Sequence, residues 1–118
     1  VNPPATDDGR RQVIRVLIRR GGEAGWQAQV LESDVKAIGA SRSAALDTVM
    51  KVVEVHVAFD VRRGREPLSG FAAAPDTDWT EFNRASSVAP PVELSHHGRA
   101  RELCFLVANA LDEPTVAR

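Results

Sequence analysis

The stretch Val35–Leu46 constrains this chain most. It reads Val-Lys-Ala-Ile-Gly-Ala-Ser-Arg-Ser-Ala-Ala-Leu: a short strand, a glycine that ends it, a serine cap and the opening of a helix. Ser41 is placed to give a hydroxyl acceptor to an otherwise orphaned first-turn amide. From about Arg42 to Phe59, the residues Ala45, Leu46, Val49, Met50, Val53 and Val57 recur at three- and four-residue spacing, which makes one apolar stripe. Asp47 and Lys51 have the spacing of a favourable pair on the outer side. The valines of the second half lower helix propensity, so Val55–Phe59 is free to bend away or become strand. A helix with one apolar stripe needs a surface to cover, and the strands before it supply one.

Upstream, Val13–Arg20 alternates. Ile14, Val16 and Ile18 fall on one face, and Val13, Arg15, Leu17 and Arg19 on the other. The pattern predicts a half-buried strand whose outer face carries arginine. Gly21-Gly22-Glu23-Ala24-Gly25 reads as a hairpin loop, and Trp26–Leu31 alternates again as an antiparallel partner. Glu32-Ser33-Asp34 is a turn into a third strand over Val35–Ile38.

Downstream, Arg62-Arg63-Gly64-Arg65-Glu66-Pro67 is a basic turn, and Leu68–Phe71 is expected to be a fourth, edge strand. The pattern then fades. Asp78 followed by Glu81 resembles a capping box, which predicts a short helix over Trp79–Ala85 within a linker spanning 72–92. Over 93–112, Ala100, Leu103, Cys104, Val107 and Leu111 fall on one helical face, with Glu113-Pro114 as a stop. The expected organisation is one domain: an arm (1–11), a β-β-β-α-β module (12–71), the linker and a C-terminal helix. The fold class is α+β, a small antiparallel sheet with one long helix on one face plus that last helix.

The order strand, strand, strand, Gly39, Ser41 cap, helix, Gly64, Pro67, Leu68 resembles the module of HicB-type antitoxins, a partial ribonuclease-H-like fold. Gly39-Ala40-Ser41-Arg42-Ser43-Ala44-Ala45-Leu46 aligns without a gap with that family's turn and helix start. Ser41 stands at its capping Thr, and Ala45 and Leu46 at its buried Ala-Leu. The chain departs from the family where Glu32-Ser33-Asp34 replaces a Pro-Asp-Leu-Pro-Gly loop. It also lacks an evident helix-turn-helix or ribbon-helix-helix reader at its C-terminal end, so DNA binding is not carried over. The resemblance implies a non-enzymatic protein that acts by covering a partner such as a small basic toxin, and that hides its sheet edges by forming a homodimer.

The remaining residues bound the chemistry. A net charge of −1 exerts no global pull toward nucleic acid or membrane, and no apolar run approaches the length of a membrane span. A single cysteine excludes an internal disulfide and, with no secretion signal legible, fits a cytoplasmic, reducing setting. His96-His97 with Cys104 lacks a second ligand pair, so no metal or other cofactor is expected. Cys104 on an apolar face is a packing thiol rather than a nucleophile. Ser41 and Ser43 lack a nucleophile elbow, and the Gly21–Gly25 glycines lack a phosphate-loop context.

Asp76, Asp78 and Glu81 form a carboxylate cluster. A small metal-dependent nuclease on the same partial fold is therefore the enzymatic alternative, although such sites place carboxylates on core strands. A structural or sensor module with no toxin is the third reading. The partner-binding candidates are Arg15 and Arg19 on the first strand, Trp26 beside them as an aromatic anchor, and Arg62, Arg63 and Arg65 at the helix exit. Such forks would meet an acidic protein surface or a phosphate backbone.

Overall fold

In the computed structural model, residues 11–21, 25–97 and 101–111 are described; the expected arm, apart from Arg11, and the tip of the first hairpin loop lie outside them. Five strands and two helices follow in the order β1 (Arg11–Arg20), β2 (Trp26–Val30), β3 (Lys36–Gly39), α1 (Arg42–Arg62), α2 (Asp76–Val88), β4 (Val92–His97) and β5 (Glu102–Asn109). The sheet order is β3-β2-β1-β5-β4. The pairs β1–β2, β2–β3 and β4–β5 are antiparallel, and β1–β5 is parallel. The class is α+β, as expected, but the sheet is mixed.

The alternation in β1 sorts the core. Ile14, Val16 and Ile18 pack with Ala28 and Val30 of β2 and with Ala45, Val49, Val53 and Val57 of α1. Leu17, on the opposite face, is also fully buried, beneath Phe82 and Ala85 of α2 with Leu31 and Ala108. The outer face expected to be solvated is thus partly covered by a second helix, and the sheet lies between the two. At 25 cal/mol per Å² of apolar surface, burying a side chain such as Leu17 is worth about 2 kcal/mol.

The start of α1 follows the sequence closely. Ser41 is extended (φ −139°, ψ 167°), and its Oγ accepts the Ala44 amide at 3.1 Å. Ser41→Ala is expected to cost about 1 kcal/mol, read as a lower thermal midpoint; an unmoved midpoint would show that the cap contributes nothing. Gly39 allows the strand to meet the helix so abruptly. A Cβ there would lie 2.5 Å from the Ala45 amide nitrogen. The helix continues unbroken through the valine-rich half to Arg62, because Val53 and Val57 are buried against the sheet and tertiary packing outweighs propensity.

Two expected elements are corrected. Leu68–Phe71 is a turn rather than an edge strand. Leu68 has φ 65°, which no strand residue adopts, and its amide donates to the buried Asp60 carboxylate at 2.8 Å. The C-terminal helix over 93–112 is instead the β4–β5 hairpin. Residues 103–108 are apolar at every position because β5 is covered on both faces: Leu103, Phe105 and Val107 toward α1, Cys104, Leu106 and Ala108 toward the α2 side. β4 keeps a period of two, with Leu94 and His96 half-buried between exposed neighbours. The helix inside the expected linker is longer than the capping pattern implied. Asp76–Val88 is helical with Pro75 before it, which places Asp78 in the first turn rather than at the cap.

Candidate functional site

Residues that sequence reasoning grouped together occupy three separate places. Arg15 and Arg19 lie on the α2 side of the sheet, where the chain itself engages them. Arg15 donates to Glu32 from its backbone amide at 2.8 Å and from Nη1 at 2.6 Å, and its guanidinium stands 5.6 Å from the centre of the Trp79 ring. Arg19 donates to Gln29 Oε1 at 2.6 Å and to Glu81 Oε1 at 2.7 Å, with Asp78 Oδ1 at 3.4 Å. Gln29 is fully buried, and its amide nitrogen donates to Asp34 at 2.7 Å and Asp78 at 2.9 Å. Its side chain is therefore satisfied on both ends, as a buried amide must be. This network fastens α2 to β1 and β2.

The same network answers for the carboxylate cluster. Asp78 and Glu81 are held by Arg19 and Gln29, and Asp76 is exposed on the first turn of α2. His96 Nε2 lies 3.1 Å from Glu54 of α1, and the buried Cys104 thiol donates to Glu93 at 3.2 Å. Among the described residues, no three His, Cys, Asp or Glu side chains are placed to hold a metal ion, and no helix is long and apolar enough to cross a membrane.

Trp26 belongs to the second place, the end of the sheet beside the start of α1. Arg20 is its cross-strand partner on β1. The Arg20 guanidinium stands 4.7 Å from the centre of the Trp26 ring, and that of Arg42, the first residue of α1, stands 5.3 Å from it. A cleft of about 300 Å³ opens here, lined by Arg19, Arg20, Trp26, Arg42, Glu81 and Asn109 among others. It sits past the carboxyl ends of the parallel pair β1 and β5, the position at which open sheets with helices on both faces commonly receive ligands. Arg20 and Arg42 carry no pattern signal in the sequence. They meet Trp26 only because β1 pairs with β2 and α1 returns over both.

The third place is the exit of α1. Arg63 and Arg65 stand 4.6 Å and 5.7 Å from the centre of the Phe59 ring. His56 stacks on Phe71 with 4.9 Å between ring centres, and a cavity of about 290 Å³ lies among His56, Phe59, Asp60, Arg65 and Phe71. Arg62 is the last helical residue and is exposed. Asp60 organises the turn: its backbone oxygen accepts the Arg65 amide at 2.8 Å, while its carboxylate holds Leu68. The two arginine–aromatic clusters therefore stand at opposite ends of one 21-residue helix, about 30 Å apart at 1.5 Å per residue. No protein-family model, curated protein or solved structure matches this chain.

Proposed function

We propose that this chain is a non-enzymatic binding protein that acts by covering a partner protein, in the manner of the HicB-type antitoxins its first half resembles. One observation carries the reading. Each end of α1 presents guanidinium groups stacked on an aromatic ring, Arg20 and Arg42 on Trp26, and Arg63 and Arg65 on Phe59. Among the described residues Arg20, Arg42, Arg62 and Arg63 form no ion pair, which leaves their donor edges free for a carboxylate. Arginine and large aromatic side chains are the residues that most often dominate association energy, and a stacked guanidinium loses little freedom on binding.

Arg15 and Arg19 leave this proposal, since their charges already meet Glu32, Asp78 and Glu81. The partner is a protein encoded beside this chain; the free arginines call for an acidic contact patch on it, even where, as the resemblance implies for the toxin, its overall charge is basic. Co-expression tests it. The neighbouring gene product should arrest growth when expressed alone, and this chain should relieve the arrest and co-purify with it. A neighbour that is harmless, or an arrest that persists with this chain present, would favour a module without a toxin.

A further inference from the structure

The cleft beside the start of α1 carries charge that the chain does not answer. Three arginines, Arg19, Arg20 and Arg42, and one carboxylate, Glu81, line it, which leaves a surplus of two positive charges. Glu81 is taken by Arg19 at 2.7 Å. Arg20 and Arg42 are exposed and form no ion pair among the described residues. Both lie over one ring, 4.7 Å and 5.3 Å from the centre of Trp26. Guanidinium groups are permanently charged in proteins, so the surplus does not depend on pH.

Folding alone does not account for this placement. Each cation gains from the indole, but two of them on one ring with no carboxylate between them also repel. Arg42 is the first residue of α1, where a cation meets the positive end of the helix dipole, and that turn carries no acidic residue. An anion seated between the two arginines relieves both strains.

We infer that the cleft binds a small phosphomonoester, its phosphate held between Arg20 and Arg42 and its organic part against the apolar lining of Trp26, Ile18 and Leu111. The charge count selects the class. A carboxylate brings one negative charge, whereas a phosphomonoester brings about 1.5 to 2 at neutral pH, with three strong acceptor oxygens for the guanidinium forks. The volume sets the size. A cavity of about 150 Å³ suffices for a benzene ring, so the roughly 300 Å³ here admits one small ring together with its phosphate. The inference does not rest on the partner-covering reading. It concerns one end of α1, and a partner engaged through Arg62 and Arg63 leaves it intact.

Titration of the full chain with phenyl phosphate, followed by calorimetry and by fluorescence, tests it. The chain has two tryptophans, so a Trp79→Phe background leaves Trp26 as the emitter. Phenyl phosphate should saturate one site per chain with a Kd below about 1 mM and should change the Trp26 emission. Benzoate, the same ring with a single charge, should bind at least about tenfold more weakly. Arg20→Gln and Arg42→Gln should each weaken phenyl phosphate by about tenfold or more, with thermal midpoints near that of the unmodified chain. Arg62→Gln combined with Arg63→Gln removes the same charge from the far end of α1 and should leave the affinity unchanged. Phenyl phosphate that fails to saturate by about 10 mM, that binds no better than benzoate, or that loses no more affinity to the Arg20 and Arg42 changes than to the far-end pair would overturn the inference.

Discussion

Phe105→Ala is expected to remove about 3–5 kcal/mol of folding stability, the range for truncating a fully buried phenylalanine. Phe105 has no exposed surface. It sits on β5 at the middle of the sheet, opposite Ile14 of β1 and Leu94 of β4. The loss combines the transfer of the ring with the cavity it leaves in the core it shares with Val49 and Val53 of α1. The experiment also separates the two ways of folding this segment. As a helix with Leu103, Cys104, Val107 and Leu111 inward, residues 93–112 would turn Phe105 to solvent, and the substitution would be nearly silent. Leu111→Ala is the complement: Leu111 belongs to that helical stripe but is exposed in the fold, so it should cost little. Urea unfolding of both variants checks the pair. A silent Phe105→Ala with a costly Leu111→Ala would contradict the central strand.

Arg19→Glu should be the second large loss, on the order of 3 kcal/mol, while Arg20→Glu on the adjacent residue should cost under about 1 kcal/mol. The contrast comes from the faces of one strand. Arg19 is the cation among Gln29, Asp78 and Glu81, and its side chain retains 23% exposure. Reversing its charge adds a carboxylate to Asp34, Asp78 and Glu81 around a buried amide and leaves Gln29 Oε1 without a donor. Arg20 projects into the cleft over Trp26, where a carboxylate loses one stacking contact and meets water. An Arg19→Glu variant that melts with the unmodified chain would mean that α2 is not held to the sheet by this network.

The sequence up to Arg62 was legible because its signals are local. The Ser41 cap, the alternation of Ile14, Val16 and Ile18, and the stripe of α1 each depend on neighbours a few residues apart, and the three antiparallel strands then follow by short turns. The second half was not. Leu103–Ala108 is apolar throughout, and a short unbroken apolar run suits a strand buried on both faces as well as a segment of helix. What decides between them is the parallel pairing of β5 with β1, about ninety residues earlier in the chain, for which no local pattern exists. Leu17 carried the one hint that a second layer covers the outer face, since a leucine between Arg15 and Arg19 is out of place on a solvated surface. The same covering layer removed Arg15 and Arg19 from the candidate interface. It left Trp26, Arg62 and Arg63 in place, with Arg65 drawn to Asp60 at 3.8 Å, and brought in Arg20 and Arg42, which only strand pairing and helix packing set beside the tryptophan.

Equilibrium binding of the neighbouring gene product by titration calorimetry, at low and at high salt, tests the partner-covering role most directly. The double variants Arg20→Glu with Arg42→Glu, and Arg62→Glu with Arg63→Glu, should keep the thermal midpoint near that of the unmodified chain. At least one of them should weaken binding by about thirtyfold, the effect of losing an association hot spot, and the salt dependence should flatten with it. Unchanged affinity and unchanged salt dependence in both double variants would show that the ends of α1 are solvated surface and that this chain does not cover its partner through them.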